Sequence, residues 1–177
     1  MIDRIMGVLR LDVATFEAIE ADKSAITEAA IIVAVVALLS AIGQSIGAAN
    51  FVTSFLATVV WAFVGWFLWA GVTYFVGTAL FGGQADLGEM LRVLGYAQAP
   101  RILSVLTFIP CLGAIIGVIV WIWALLAAFI AVRQGLDIDN VKALLTVIVG
   151  WLVVFLGSAL IGLLLGGVNL GLNALTG

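Results

Sequence analysis

No charged residue occurs between Glu28 and Asp86, between Arg101 and Arg133, or after Lys142. Each of these runs exceeds the ~20 apolar residues that cross a ~30 Å hydrocarbon core. In lipid every segment must satisfy its own backbone hydrogen bonds, and helices do so locally. The expected class is therefore all-α: a polytopic membrane protein with a bundle of five transmembrane helices. Composition agrees, because 10% of the 177 residues are charged where a soluble domain carries about 25%.

Residues 1–23 stand apart as a cytoplasmic amphipathic segment. Ile2, Ile5, Met6, Leu9, Val13 and Phe16 recur at three- and four-residue intervals, with Asp3, Arg4, Arg10, Asp12 and Glu17 mostly between them. That spacing predicts an apolar stripe on a helix lying in the bilayer interface or on its own bundle, with Asp12 able to cap a second short helix. Charges running to Glu28 exclude a signal peptide.

Residues 24–166 form the expected five-span domain, followed by a short uncharged external tail, residues 167–177. The spans are expected at 25–48, 51–80, 88–109, 113–132 and 143–165. The third is the least regular, because Pro100 removes a backbone donor and Gln98 and Arg101 interrupt its apolar character. From Gly95 to Asp137 the chain reads as an apolar hairpin broken at Pro110. With five spans, all seven basic residues fall on one side of the membrane. The positive-inside rule then places the N-terminus in the cytoplasm and the C-terminus outside.

Small residues mark close helix contacts in lipid. Gly113 and Gly117, continued by Ala124 and Ala128, form one such stripe; Ser158, Gly162 and Gly166 form another. Both serve packing within the bundle or, as the alternative, a homo-oligomer or protein partner. Trp66, Trp69, Trp121, Trp123 and Trp151 lie deep in their spans, away from the interfacial belts tryptophan prefers. Two readings stay open: aromatic packing between helices, or a pocket for a lipid, quinone or pigment.

Catalytic chemistry has little to work with. The chain lacks histidine, and Cys111 is its single cysteine, so no internal disulfide forms. No carboxylate pair or Ser/Lys dyad falls at membrane depth, as an intramembrane protease or proton relay would need. Asp137-Ile138-Asp139-Asn140 faintly suggests a calcium loop, but the position of its bidentate glutamate is Ile148, inside a span. Asp139 or Asn140 capping the next helix explains these residues better. Neither a cofactor nor a metal is expected, and 17 charged residues netting −3 offer no basic patch for nucleic acid.

Arg101 is the residue that asks for a function. It lies ~13 Å along the helix axis from Pro110, near the middle of a ~30 Å core. An unpaired arginine there costs at least ~2.5–3.5 kcal/mol, which snorkelling offsets in part. A carboxylate or lipid phosphate would offset more. The expected site is a polar cytoplasmic pocket of Tyr96, Gln98, Pro100 and Arg101, with Glu89, Asp137, Asp86 or Asp139 as the acid, where a lipid headgroup or partner segment docks.

Gly95-Tyr96, three residues, then Pro100, followed by Pro110, the fourth span and Ala131-Val132-Arg133-Gln134, resembles the membrane domain of the YIP (Ypt-interacting protein) family. The resemblance covers nearly the whole chain and implies five spans with the N-terminus inside. Eukaryotic members act in vesicle traffic and engage lipidated small GTPases, and carry a longer N-terminal region with an Asp-Leu-Tyr-Gly-Pro motif. That motif is missing here, and about 25 residues precede the first span, which suggests a prokaryotic-type member. The resemblance implies a non-enzymatic protein of the cell membrane that organises membrane or recruits partners at its cytoplasmic face, in contact with membrane lipids. A small accessory subunit of a larger membrane complex is the alternative. A transporter or channel ranks third, because no span carries an acid at depth and no pair of broken helices recurs in the two halves.

Overall fold

The computed structural model describes residues 1–46, 49–108 and 112–176, with side chains described except at 108, 158 and 160–176. Every regular element among them is helical: α1 (Ile2–Leu9), α2 (Val13–Ala21), α3 (Ala25–Ser45), α4 (Phe51–Phe81), α5 (Leu87–Tyr96), a 3-10 helix (Ala99–Phe108), α6 (Gly113–Gly135) and α7 (Asn140–Thr176). Among the described residues four helices are long and apolar enough to cross a membrane: Ala25–Ser45, Phe51–Phe81, Gly113–Gly135 and Asn140–Gly157 within α7. The chain is thus a multi-pass membrane protein, and its exposed leucines, valines and phenylalanines are the surface that lipid covers.

The expected third span, 88–109, is not one continuous α-helix. α5 ends at Tyr96, and Arg101 N–H donates to the Gln98 carbonyl at 2.9 Å, the three-residue step of a 3-10 helix. Pro100 supplies the cause, since it has no N–H to continue the four-residue ladder. A ten-residue 3-10 run is long for a geometry that usually persists for 3–4 residues.

Local chemistry sets the other boundaries. The Asn50 side chain accepts from Thr53 N–H at 3.1 Å to start α4. Gly82, at φ 70°, stops α4 while Gly83 N–H reaches back to the Gly77 carbonyl at 2.9 Å, a glycine-terminated C-cap. α5 opens with a reciprocal capping box: Asp86 N–H donates to Glu89 at 2.6 Å and Glu89 N–H to Asp86 at 2.8 Å. Asp139 caps α7, accepting from Val141 and Lys142 N–H at 2.9 Å each.

The N-terminal segment is two helices. Leu11 takes a left-handed backbone (φ 58°), and Asp12 caps α2 by accepting from Thr15 N–H at 3.2 Å. Of the apolar stripe, Phe16 is fully buried and Ile5 packs on the core, while Ile2 and Met6 are exposed. Val8 and Ile19, also fully buried, join Phe16 in one cluster with Met90, Val93, Ala131 and Val132. α1 and α2 therefore pack as part of the bundle.

The ends of α4, α5 and α6 meet. Gln84 N–H donates to the Leu136 carbonyl at 2.9 Å, Leu136 packs on Gly77 and Gly83, and Gly135 meets Met90 and Val93. Arg92, Arg133 and Lys142 gather at this charged end. The α3–α4 turn at Asn50 and the start of α6 mark the other, charge-free end.

Candidate functional site

Two polar clusters hold the charged end together. In the first, Glu28, one turn into α3, accepts from the Tyr96 hydroxyl, from Arg4 at 3.4 Å, and pairs with the N-terminal ammonium at 3.4 Å. Arg4 also meets Asp22 at 2.6 Å. Two Ser24 donors and Arg4 together push the Asp22 carboxyl down to about 2, and the same bridge raises Arg4. Tyr96 is fully buried, so its ring fills the core while its hydroxyl reaches the network.

The second cluster surrounds Arg92, 4% exposed. Its guanidinium donates to the Glu20 carbonyl at 2.5 Å and lies 3.9 Å from Glu89. Glu20 is near the end of α2, where the helix dipole favours a cation. Its own carboxyl is pushed up to about 7, chiefly by burial and then by Asp137 and Glu89 nearby. Gln134 donates to Glu17 at 2.9 Å, and Arg133 to Gln134 at 2.8 Å and Asn140 at 3.0 Å. These bonds tie α2, α5 and the α6–α7 turn together.

Between the helices runs a groove of about 720 Å³, within the ~300–1,000 Å³ range of ligand sites. Five of the six tryptophans line it: Trp61, Trp66, Trp69, Trp121 and Trp151. Trp66 is anchored by its indole N–H on the Leu91 carbonyl at 3.1 Å. The sixth, Trp123, donates to the Leu9 carbonyl at 3.0 Å and holds α1. Gln44, Gln98 and Arg101 supply the groove's strongest polar groups, and Arg101 is its one charged residue among those described.

A family model described as the Yip1 domain matches residues 6–162. The chain belongs to the Yip1 family. No curated protein and no solved structure matches it. In this Yip1 chain the Gly-Tyr-x-x-x-Pro segment has a physical reading. Gly95 lets α5 approach α3 and α4, since a Cβ there would sit 2.7 Å from Ala29 Cβ and 3.2 Å from the Trp66 ring. Tyr96 bonds Glu28, and Pro100 converts the helix to 3-10 geometry. In Ala131-Val132-Arg133-Gln134 the first two residues are core, Gln134 ties α6 to Glu17 of α2, and Arg133 bonds Gln134 and Asn140 at the start of α7.

The residues expected to share one pocket divide between these places. Gln98 and Arg101 line the groove, Tyr96 joins the Glu28 network, and Pro100 is buried behind the start of the 3-10 helix. Glu89 is spent on the capping box and Arg92, Asp137 is exposed on a left-handed turn (φ 52°), and Asp139 caps α7. None of these acids reaches Arg101, whose guanidinium has no hydrogen bond or ion pair among the described residues. Glu28 is the acid that sequence reasoning passed over. Its signal in the sequence is an acid inside the first turn of a span, a place where the helix dipole alone already favours one.

Of the small-residue stripe, Gly113 and Gly117 lie against Thr107 of the 3-10 helix, while Ala124 and Ala128 face the groove. Ser158, Gly162 and Gly166 lie outside the residues whose side chains are described, as do Pro110 and Cys111.

Proposed function

We propose that this Yip1-family protein is a non-enzymatic membrane scaffold. It crosses the cell membrane five times with its N-terminus in the cytoplasm, and it recruits a partner protein at that face. The observation that carries the reading is the docking of α1 and α2 on the bundle through Arg4 on Glu28, Arg92, Gln134 and Trp123. A rigid surface at the charged end, rather than a loose tail, is what a partner needs to recognise.

Support for five crossings comes from the meeting of helix ends. The C-termini of α4 and α6 share one end, through Gln84 and Leu136. For α6 to return there, the chain from Leu87 to Phe108 has to reach the opposite end first. Ten α-helical residues at ~1.5 Å and ten 3-10 residues at ~2.0 Å give about 35 Å, enough for a ~30 Å core. All seven basic residues then fall on one side.

Single cysteines introduced at Asp3, Asp137 and Asn50, in a Cys111→Ser background, test both parts. In intact cells an impermeant maleimide should label Asn50 only. Photo-crosslinkers at the exposed Arg10 and Glu17 should trap a discrete partner that a crosslinker at Asn50 does not. Labelling at Asp137 from outside would overturn the topology. The same smear of crosslinks at all positions would overturn recruitment.

A further inference from the structure

Arg101 sits about 14 Å, seven 3-10 steps, from Phe108 at the end of its helix. Trp66, which lines the same groove, lies about 22 Å from the charged end of α4 at Phe81. The guanidinium is open to the groove, yet it has no partner among the described residues. An arginine at that depth is among the costliest side chains to leave unpaired. No Asp or Glu lines the groove among the described residues, so it carries one uncompensated positive charge.

The groove is also polar in a directed way. On α3, Gln44 and Ser40 lie one turn apart; on α4, so do Ser54 and Thr58, and all four line it. Gln44 and Ser54 are within a turn of the α3–α4 connection at the charge-free end. Below them come Gln98 and Arg101. Two helices thus present polar side chains at four-residue spacing, leading from the charge-free face to the unpaired cation. The remaining lining is tryptophan and small apolar residues, suited to an acyl chain. Ala124 and Ala128 hold the groove open because their side chains are short.

We propose that this groove binds an anionic phospholipid, which enters from the charge-free face and places its phosphate on Arg101 with its acyl chain against the tryptophans. A guanidinium holds phosphate through two parallel hydrogen bonds. A lipid of net negative charge cancels the groove's charge, which a zwitterionic one does not. The inference does not depend on the recruiting role of the charged end.

Brominated acyl chains quench tryptophan on contact, so the site carries its own reporter. The purified full chain in dodecylmaltoside is titrated with brominated phosphatidylglycerol or brominated phosphatidylcholine. Phosphatidylglycerol should reach half-maximal quenching at about tenfold lower concentration, the effect of one good ionic contact. Arg101→Gln should abolish that difference, Arg101→Lys should keep part of it, and Arg10→Gln, on the surface, should keep all of it. Ala124→Leu leaves the charge in place and fills the groove. It should raise the phosphatidylglycerol half-point to that of phosphatidylcholine, a test that stands even if Arg101→Gln fails to fold. Excess inorganic phosphate should not relieve quenching, whereas unbrominated phosphatidylglycerol should. Equal quenching by both lipids, an unchanged half-point in Ala124→Leu, or full relief by inorganic phosphate would each overturn the proposal.

Discussion

Substituting Gly95 by alanine tests whether the Gly-Tyr segment is a helix-packing device. The new Cβ would lie 2.7 Å from Ala29 Cβ and 3.2 Å from the Trp66 ring. Ala29 is fully buried and its Cβ is fixed to the α3 backbone, so α3 and α5 have to separate. Overpacking of this kind costs about 1–3 kcal/mol. Alanine recovers about 1 kcal/mol of helix propensity over glycine. The net loss is about 1 kcal/mol, or roughly a fivefold fall in the folded-to-unfolded ratio. The assay is unfolding in mixed dodecylmaltoside and SDS micelles, followed by far-UV circular dichroism. Ala29→Gly in the Gly95→Ala background removes the closest contact, so the double variant should be more stable than the sum of the single effects. A stabilised Gly95→Ala protein, or strict additivity of the pair, would refute the close-contact reasoning.

Tyr96→Phe keeps the buried ring and removes a donor from Glu28; a loss of about 1.5–3 kcal/mol is expected in the same unfolding assay, and no loss would mean that Arg4 and the N-terminus suffice. Trp123→Phe removes the indole bond to the Leu9 carbonyl. Hydrogen exchange in α1 should rise there by roughly the equivalent of 0.5–1.5 kcal/mol, and unchanged protection would contradict the anchoring role. Glu20 is held at about 7, above its ordinary 4.5, so the fold favours its protonated form. The stability it contributes is fully present below about 4.5 and is lost as pH rises through about 7. Opening of α2, corrected for intrinsic exchange rates, should increase over that window and lose its pH dependence in Glu20→Gln. Asp22 runs the other way: with its carboxyl lowered to about 2 from 3.8, its stabilisation is present above 3.8 and disappears as pH falls through 2. Acid release of α1 should therefore shift in Asp22→Asn.

Much of this protein could be read without coordinates. The long uncharged runs placed four apolar helices, because hydropathy and length decide what lipid accepts. Asp12 and Asp139 marked helix starts, because caps act over three or four residues. Pro100 announced a break for the same local reason, though not that ten residues of 3-10 helix would follow. The proposed pocket was read less well. It grouped Tyr96 with Arg101 because they are five positions apart, whereas the partner that Tyr96 finds is 68 residues away.

What the chain determined by itself is the set of local choices: which segments enter lipid, where they stop, and which end collects charge. These depend on transfer free energy and on backbone groups within a turn of each other. Only the tertiary structure decided that Glu28 serves Tyr96 and Arg4, that Arg92 is buried against α2, and that Arg101 is left facing a tryptophan groove. Between helices in lipid, apolar faces are nearly equivalent to the solvent, so hydropathy does not choose their orientation. Close contacts such as Gly95 on Ala29 do, and their geometry exists only once both helices are in place.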